Sequence, residues 1–199
     1  YKNLIKLVSI ANTEGMYYKP RIDREILKEH SEGLICLSGC LAGELARNII
    51  EDYEKGKEVA KWYRDVFGDD YYLEIQANGI KEQKIVNQKI VKLSKELNIP
   101  LVVTNDVHYT CKEDVKAQDI LICIQTGKKI DDEDRMKIDV DTLYIKSPEE
   151  IKKEFANFPE ALENTVKIAE KCNFEFEFGN TKLPNFDTPN GEKHEDYLK

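Results

Sequence analysis

Two rhythms of apolar and polar positions run along this chain, and together they predict an α/β protein. Residues 3–13 carry apolar side chains at helical spacing, so a helix is expected there, ended by Gly15. Met16-Tyr17-Tyr18-Lys19-Pro20-Arg21 reads as a loop, because Pro20 disfavours helical backbone at Lys19. Asp23 then caps a short helix running to about His30. Leu34-Ile35-Cys36-Leu37-Ser38 is a short continuous apolar run of the kind that forms buried parallel strands. Residues 41–50 and 53–67 read as helices, and residues 71–75 as the next strand. The longest helix is expected over 80–97, with Ile85, Ile90, Val91 and Leu93 facing inward. Leu101-Val102-Val103-Thr104 is a third buried strand. Strand, helix, strand, helix, strand in succession predicts parallel strands joined by right-handed helical crossovers.

Beyond Thr104 the rhythm changes. Residues 114–126 look helical, with Ile120, Leu121 and Ile124 expected in the core, and residues 128–137 form a charged surface loop. Leu143-Tyr144-Ile145 is a short strand. Ser147-Pro148-Glu149-Glu150 opens a helix, with a serine cap and proline in the first position. A second helix starts at Phe158-Pro159-Glu160 and runs to Cys172. From about Asp187 onward a linker or frayed end is expected.

Composition narrows the class. At 199 residues, with 41% hydrophobic and 34% charged side chains, the chain suits one soluble domain of ordinary size. No apolar run approaches the roughly 20 residues needed to cross a bilayer. Asp and Glu outnumber Lys and Arg, 38 to 30, for a formal charge of −8. Gripping nucleic acid relies on Lys and Arg neutralising phosphates, so the chain as a whole is a poor main DNA grip. A local basic patch stays open. The five cysteines, Cys36, Cys40, Cys111, Cys123 and Cys172, are odd in number and form no CxxC pair. That argues against a disulfide framework or a zinc ribbon and fits reduced thiols in cytoplasm. The chain opens directly in the run Leu4, Ile5, Leu7, Val8 with no initiator Met, which reads as a piece of a longer chain.

Active sites of parallel sheets lie at the carboxyl ends of the strands. Three places qualify: Ser38-Gly39-Cys40, Gln76-Ala77-Asn78 and Asn105-Asp106-Val107-His108. Asp106 and His108 lie two apart, so in extended backbone both side chains point to one side. A carboxylate and an imidazole offered together suit zinc, manganese or iron. For such a triplet alone, a capping aspartate and a crevice-filling histidine are the commoner arrangement. Cys40, beside a glycine past a strand end, is a candidate soft ligand, although free cysteines are usually plain buried hydrophobes. A Cys40–His108 nucleophile pair is conceivable but lacks an evident oxyanion hole. His30 and His194 sit among polar neighbours and are expected to be exposed. Tyr17, Tyr18, Lys19 and Arg21 combine aromatic rings with positive charge, which suits phosphate or single-stranded bases, or equally a packed surface loop.

At these residues the chain resembles a known family. The blocks GMYYKPRID (15–23), GLICLSGCLAGE (33–44) and PLVVTNDVHY (100–109) are similar to the PHP (polymerase and histidinol phosphatase) domain of bacterial DNA polymerase III alpha subunits. So are IQTGK (124–128), YIKSPEE (144–150) and PEALENT (159–165), in order and to about Pro189. The resemblance implies an incomplete distorted (β/α) barrel over 1–145, helices leading toward the polymerase palm over 146–186, and a linker over 187–199. It places the family's last metal ligands on Cys40, Asp106 and His108, in a cluster of up to three divalent ions. The family's earlier ligands, with their H-x-H motif, and the catalytic aspartates of its palm are not in this chain, so metal binding here is expected to be weak.

Functionally, the resemblance implies part of a DNA-directed DNA polymerase, itself served by Mg2+, with DNA and other replicase subunits as partners. The PHP region would be either a metal-dependent 3′–5′ exonuclease or a structural support, and this piece alone is expected to be inactive. An open sheet edge predicts dimerisation. The alternatives are a free-standing PHP phosphoesterase and a non-enzymatic interaction module.

Overall fold

A computed structural model gives the fold for residues 1–181, 183 and 186–198. Helix α1 (Lys2–Thr13) leads into a minimal antiparallel hairpin of β1 (Met16–Tyr17) and β2 (Lys19–Pro20), followed by α2 (Arg24–Glu29). Next come β3 (Cys36–Leu37), α3 (Glu44–Glu51), α4 (Tyr53–Phe67), β4 (Tyr71–Gln76), α5 (Lys81–Leu97) and β5 (Leu101–Thr104). The rest holds α6 (Val115–Thr126), α7 (Pro148–Glu154), α8 (Pro159–Lys171) and a single turn, α9 (His194–Tyr197).

Local chemistry sets these boundaries. Asp23 accepts a hydrogen bond from the Ile26 amide and starts α2. Asp52 does the same for α4 through the Glu54 and Lys55 amides. Ser147 and Glu150 form a reciprocal capping box with Pro148 in the first turn of α7. Asn98, in left-handed backbone at φ 53, closes α5 so that the chain can turn directly into β5.

Strands β3, β4 and β5 form one parallel sheet in that order, so β4 is central and buried along its whole length. Cys36 pairs with Tyr71 on one side, and Leu73 to Gln76 pair with Leu101 to Thr104 on the other. The sheet is open, not closed into a barrel. Tyr71, Leu73 and Ile75 enter a core with Leu45 and Ile49 of α3, Val59 and Ala60 of α4, and Val86, Ile90 and Leu93 of α5. Phe155 and Ala161 join the same core, so α7 and α8 pack onto the sheet. The Asn164 amide donates to the Leu101 carbonyl at 2.8 Å, covering part of the β5 edge.

The structure corrects several expectations. Residues 16–21 are not a plain loop: Met16 pairs with Pro20 and Tyr17 with Lys19, around a left-handed Tyr18 at φ 59. Ile85 is exposed, because the buried stripe of α5 runs through Gln83, Val86, Ile90 and Leu93 at three- and four-residue steps. Ile120, Leu121 and Ile124 are also exposed. Helix α6 turns Ile122 and Cys123 inward and meets Tyr109, Ile138 and Val140 through a single narrow stripe. His30 is buried at the C-terminal end of α2, with Nε2 3.8 Å from Glu29, since polar neighbours in sequence do not decide what lies across space. The expected 143–145 strand is one parallel bridge, Tyr109 to Tyr144.

Gly56 shows how tightly α3 and α4 cross. A Cβ there would lie 2.6 Å from the Ile49 Cβ and 2.8 Å from its Cα. In an open helix Gly→Ala stabilises by about 1 kcal/mol. Here Gly56→Ala is expected to destabilise by about 1–3 kcal/mol through overpacking, read as a lower urea midpoint at unchanged slope. A gain in stability would show that the crossing relaxes freely.

Candidate carboxyl-rim site

The three parallel strands point the same way, with residues 38–40, 76–78 and 105–108 beyond their carboxyl ends; β3 stops beside Tyr72, four residues short of the level at which β5 stops beside Gln76. After β3 the chain turns at Gly39 (φ 80), and the Gly43 amide closes on the Cys40 carbonyl at 2.8 Å. Cys40 is half-buried there. After β5 the backbone does not stay extended: Asp106 is left-handed at φ 52, so the side-by-side alternation expected of Asp106 and His108 is absent. The His108 ring instead turns back, Nδ1 lying 2.7 Å from the Asp106 carbonyl oxygen. A carbonyl only accepts, so Nδ1 donates, and in the neutral ring Nε2 is the nitrogen left to ligate a metal. The loop is held by the Asn105 amide on the Tyr144 carbonyl (2.7 Å) and the His108 amide on the Leu143 carbonyl (2.8 Å).

Cys40, Asp106 and His108 thus all follow the carboxyl ends of parallel strands but form no chelating cluster. Strand β4 separates their parent strands, two spacings of roughly 4.8 Å each. Among the described residues no group of three or more His, Cys, Asp or Glu side chains is placed to hold a metal ion. As a metal centre this donor set does not fit on its own.

Inside β4, between the outer strands, lies a residue the sequence reading passed over. Glu74, on β4, is only 8% exposed. One carboxylate oxygen accepts from the Gly39 amide at 2.8 Å; the other accepts from the Thr104 hydroxyl and from the Gln76 amide at 3.2 Å. The Ser38 hydroxyl in turn accepts from the Glu74 amide at 2.8 Å. Glu74 therefore ties the loop before Cys40 to the strand before Asp106, and every donor it uses is neutral. The signal was present in the strand Tyr-Tyr-Leu-Glu-Ile-Gln, where Glu74 and Gln76 fall on one face at period two. Gln76 continues the network by donating to Thr104 at 3.0 Å, while its side-chain amide oxygen (Oε1) is buried without a partner among the described residues.

A second polar layer lies beside it. The Asn87 amide donates to the Gln76 carbonyl at 2.6 Å, and Gln83 donates to Asn87 at 2.8 Å. Lys146, almost wholly buried, donates to the Ala77 carbonyl at 2.8 Å and pairs with Glu154 at 2.7 Å. It fastens α7 to the carboxyl end of β4.

Of the remaining candidates, the hairpin residues Tyr17, Lys19 and Arg21 are exposed, with the Arg21 guanidinium 5.3 Å from the Tyr17 ring centre. His194 is exposed, its Nε2 2.6 Å from the Phe186 carbonyl. Cys36, inside β3, is held as a neutral thiol: burial, and then the Glu74 charge, push it up to about 12.

The chain matches the family model described as PHP domain over residues 1–78. It is 51% identical to DNA polymerase III subunit alpha of Borreliella burgdorferi over 95% of this chain and 17% of that protein. The same-named protein of Campylobacter jejuni is 47% identical over 94% of the chain and 16% of its own length. That of Thermus aquaticus is 41% identical over 100% of the chain and 17% of its own length. Residues 1–78 are thus a PHP-domain segment, and nearly the whole chain is similar to bacterial DNA polymerase III alpha subunits. It spans about one sixth of the length of these relatives.

Two outcomes test the site. Glu74→Ala strands the Gly39 amide and the Thr104 and Gln76 donors, and is expected to destabilise by about 2–3 kcal/mol in chemical denaturation; a neutral result would remove its tying role. Cys36 should resist alkylation at pH 8 while exposed Cys111 and Cys172 react, as read by mass spectrometry. Its folded thiol holds a proton that the unfolded thiol releases near pH 9. Its share of stability is therefore full below pH 9 and is lost as pH rises toward 12.

Proposed function

We propose that this chain serves as PHP region within a bacterial replicative DNA polymerase alpha subunit, working in the cytoplasm on DNA beside other replicase subunits. What carries the reading is similarity to polymerase alpha subunits across 94% to 100% of the chain, well past the 78 residues of the PHP match. The free-standing phosphoesterase is the weaker reading, since the likeness continues through α7 and α8, whose residues complete the core.

In this reading Cys40, Asp106 and His108 are a partial donor set for a divalent ion such as zinc, manganese or iron, completed by donors outside this chain. Thiolate, carboxylate and imidazole are a chemically suitable mixture for such ions. A bound ion would supply Lewis acidity to a phosphate ester. The chain's own contribution is to hold donors at the rim through Glu74 and the 143–145 segment. That favours a supporting role for this region by itself, with 3′–5′ exonuclease activity dependent on the completed site. The β3 edge, which has no outer strand partner among the described residues, supports self-association; a monomer by light scattering at high concentration would count against it.

Incubated with Mn2+ or Zn2+ and end-labelled single-stranded DNA, the purified chain is expected to cleave no faster than an EDTA control. Its zinc affinity by calorimetry should be weaker than about micromolar. Metal-dependent cleavage would overturn the partial-site reading. A zinc titration unaltered by both Cys40→Ser and His108→Ala would take those residues out of the donor set.

A further inference from the structure

We infer that the β1–β2 hairpin is a stacking platform for single-stranded DNA. This deepens the proposed function by naming a contact surface for its polymeric ligand, and it rests on features separate from the carboxyl rim.

The hairpin presents its side chains to solvent. Tyr17 is 64% exposed and Tyr18 88%, with ring centres 4.7 Å apart and edge to face. Two large aromatic rings left in water at adjacent positions forgo the burial that ordinarily stabilises such residues. Tyr18 also holds φ 59, a left-handed backbone in which a bulky side chain is a true outlier. Glycine or asparagine would fill this turn with less strain, so the tyrosine is present for what its ring does outside the fold.

Positive charge completes the surface. The Arg21 guanidinium lies 5.3 Å from the Tyr17 ring centre, and among the described residues neither Lys19 nor Arg21 forms an ion pair. Arg24, three residues on, is by contrast paired with Glu44. Two cations without an ion pair among the described residues thus stand beside two solvent-facing rings. The base of the hairpin is rigid: the Arg21 amide donates to the Gly15 carbonyl at 3.1 Å, and a Cβ on Gly15 would stand 1.9 Å from the Arg21 carbonyl oxygen. Pro20, Arg21 and Ile22 line a groove with Leu4, Leu7 and Val8 of α1, which seats the hairpin against that helix.

Rings that stack and cations that neutralise phosphates are the two components of binding to unpaired strands. Bases in a duplex are already stacked on each other and offer no free face to these rings. A single strand does, and its backbone is within the reach of Lys19 and Arg21 on either side of Pro20.

The test is fluorescence anisotropy of a labelled oligothymidylate titrated with the full chain in EDTA, so that metal at the rim plays no part. Binding is expected with Kd on the order of 10⁻⁴ to 10⁻⁵ M at low salt. Tyr18→Gly should weaken it about tenfold, while Tyr18→Phe stays within about twofold. The glycine variant should melt at the same temperature or higher, because glycine enters left-handed backbone freely. Lys19→Ala with Arg21→Ala should lower the salt slope by about 1.4, at roughly 0.7 per phosphate on a single strand. Unchanged binding by Tyr18→Gly, equal affinity for a duplex of the same length, or no binding at all would overturn the inference. Any of these leaves the zinc titration of the rim untouched, so the two readings fail separately.

Discussion

Strand β4 has a neighbour on each side and no face in water, and that constraint shapes the rest of the molecule. Its backbone groups are met by β3 and β5, so the sheet needs all three strands in register. Its odd-numbered side chains, Tyr71, Leu73 and Ile75, form the floor of the apolar core. Its even-numbered polar ones, Glu74 and Gln76, are equally cut off from water and must find partners within the protein. A buried carboxylate without a counter-cation is tolerated only when donors surround it. Gly39, Thr104 and Gln76 are those donors, and by supplying them the chain fixes the spacing of the loops around them.

Function follows from that same arrangement. Cys40, Asp106 and His108 owe their placement to loops leaving β3 and β5; Glu74 moors the first loop and the end of β5, and the 143–144 backbone holds the second loop. A metal donor is useful only if its position is set before the ion arrives, and the supporting bonds do this. On the proposed reading the site is incomplete within this chain. Its proposed donors sit in the loops that follow the two outer strands, whose ends β4 separates. The similarity to polymerase alpha subunits, in which this chain corresponds to about one sixth of the length, accords with a rim that needs further donors.

Elements governed by local rules were legible in the sequence. Helix α4 and strand β5 fall where periodicity and flanking glycine or proline put them, and the caps at Asp23 and Ser147 act as their chemistry dictates. Errors arose where the deciding partner is distant. Which stripe of α6 is buried depends on Tyr109, Ile138 and Val140, not on the count of apolar residues within the helix, so Ile120, Leu121 and Ile124 were misplaced. His30 was judged by adjacent polar residues and turned out buried. The hairpin was missed because Tyr18 adopts a backbone conformation that its residue type disfavours.

The candidate site divides in the same way. Strand ends after a parallel sheet are predictable, so Cys40, Asp106 and His108 could be nominated without coordinates. Glu74 could not be weighed, because its partners Ser38, Gly39 and Thr104 lie 30 to 36 residues away and become neighbours only through the pairing of three strands. Read along the chain, a glutamate in an apolar strand looks like an imperfection. Across the sheet its carboxylate touches the segments leading to all the proposed donors. A polar residue in the middle of an otherwise buried parallel strand is therefore informative in itself. Solvent cannot satisfy it there, so its partners must come from neighbouring strands, and those strands end at the rim where the chemistry is placed.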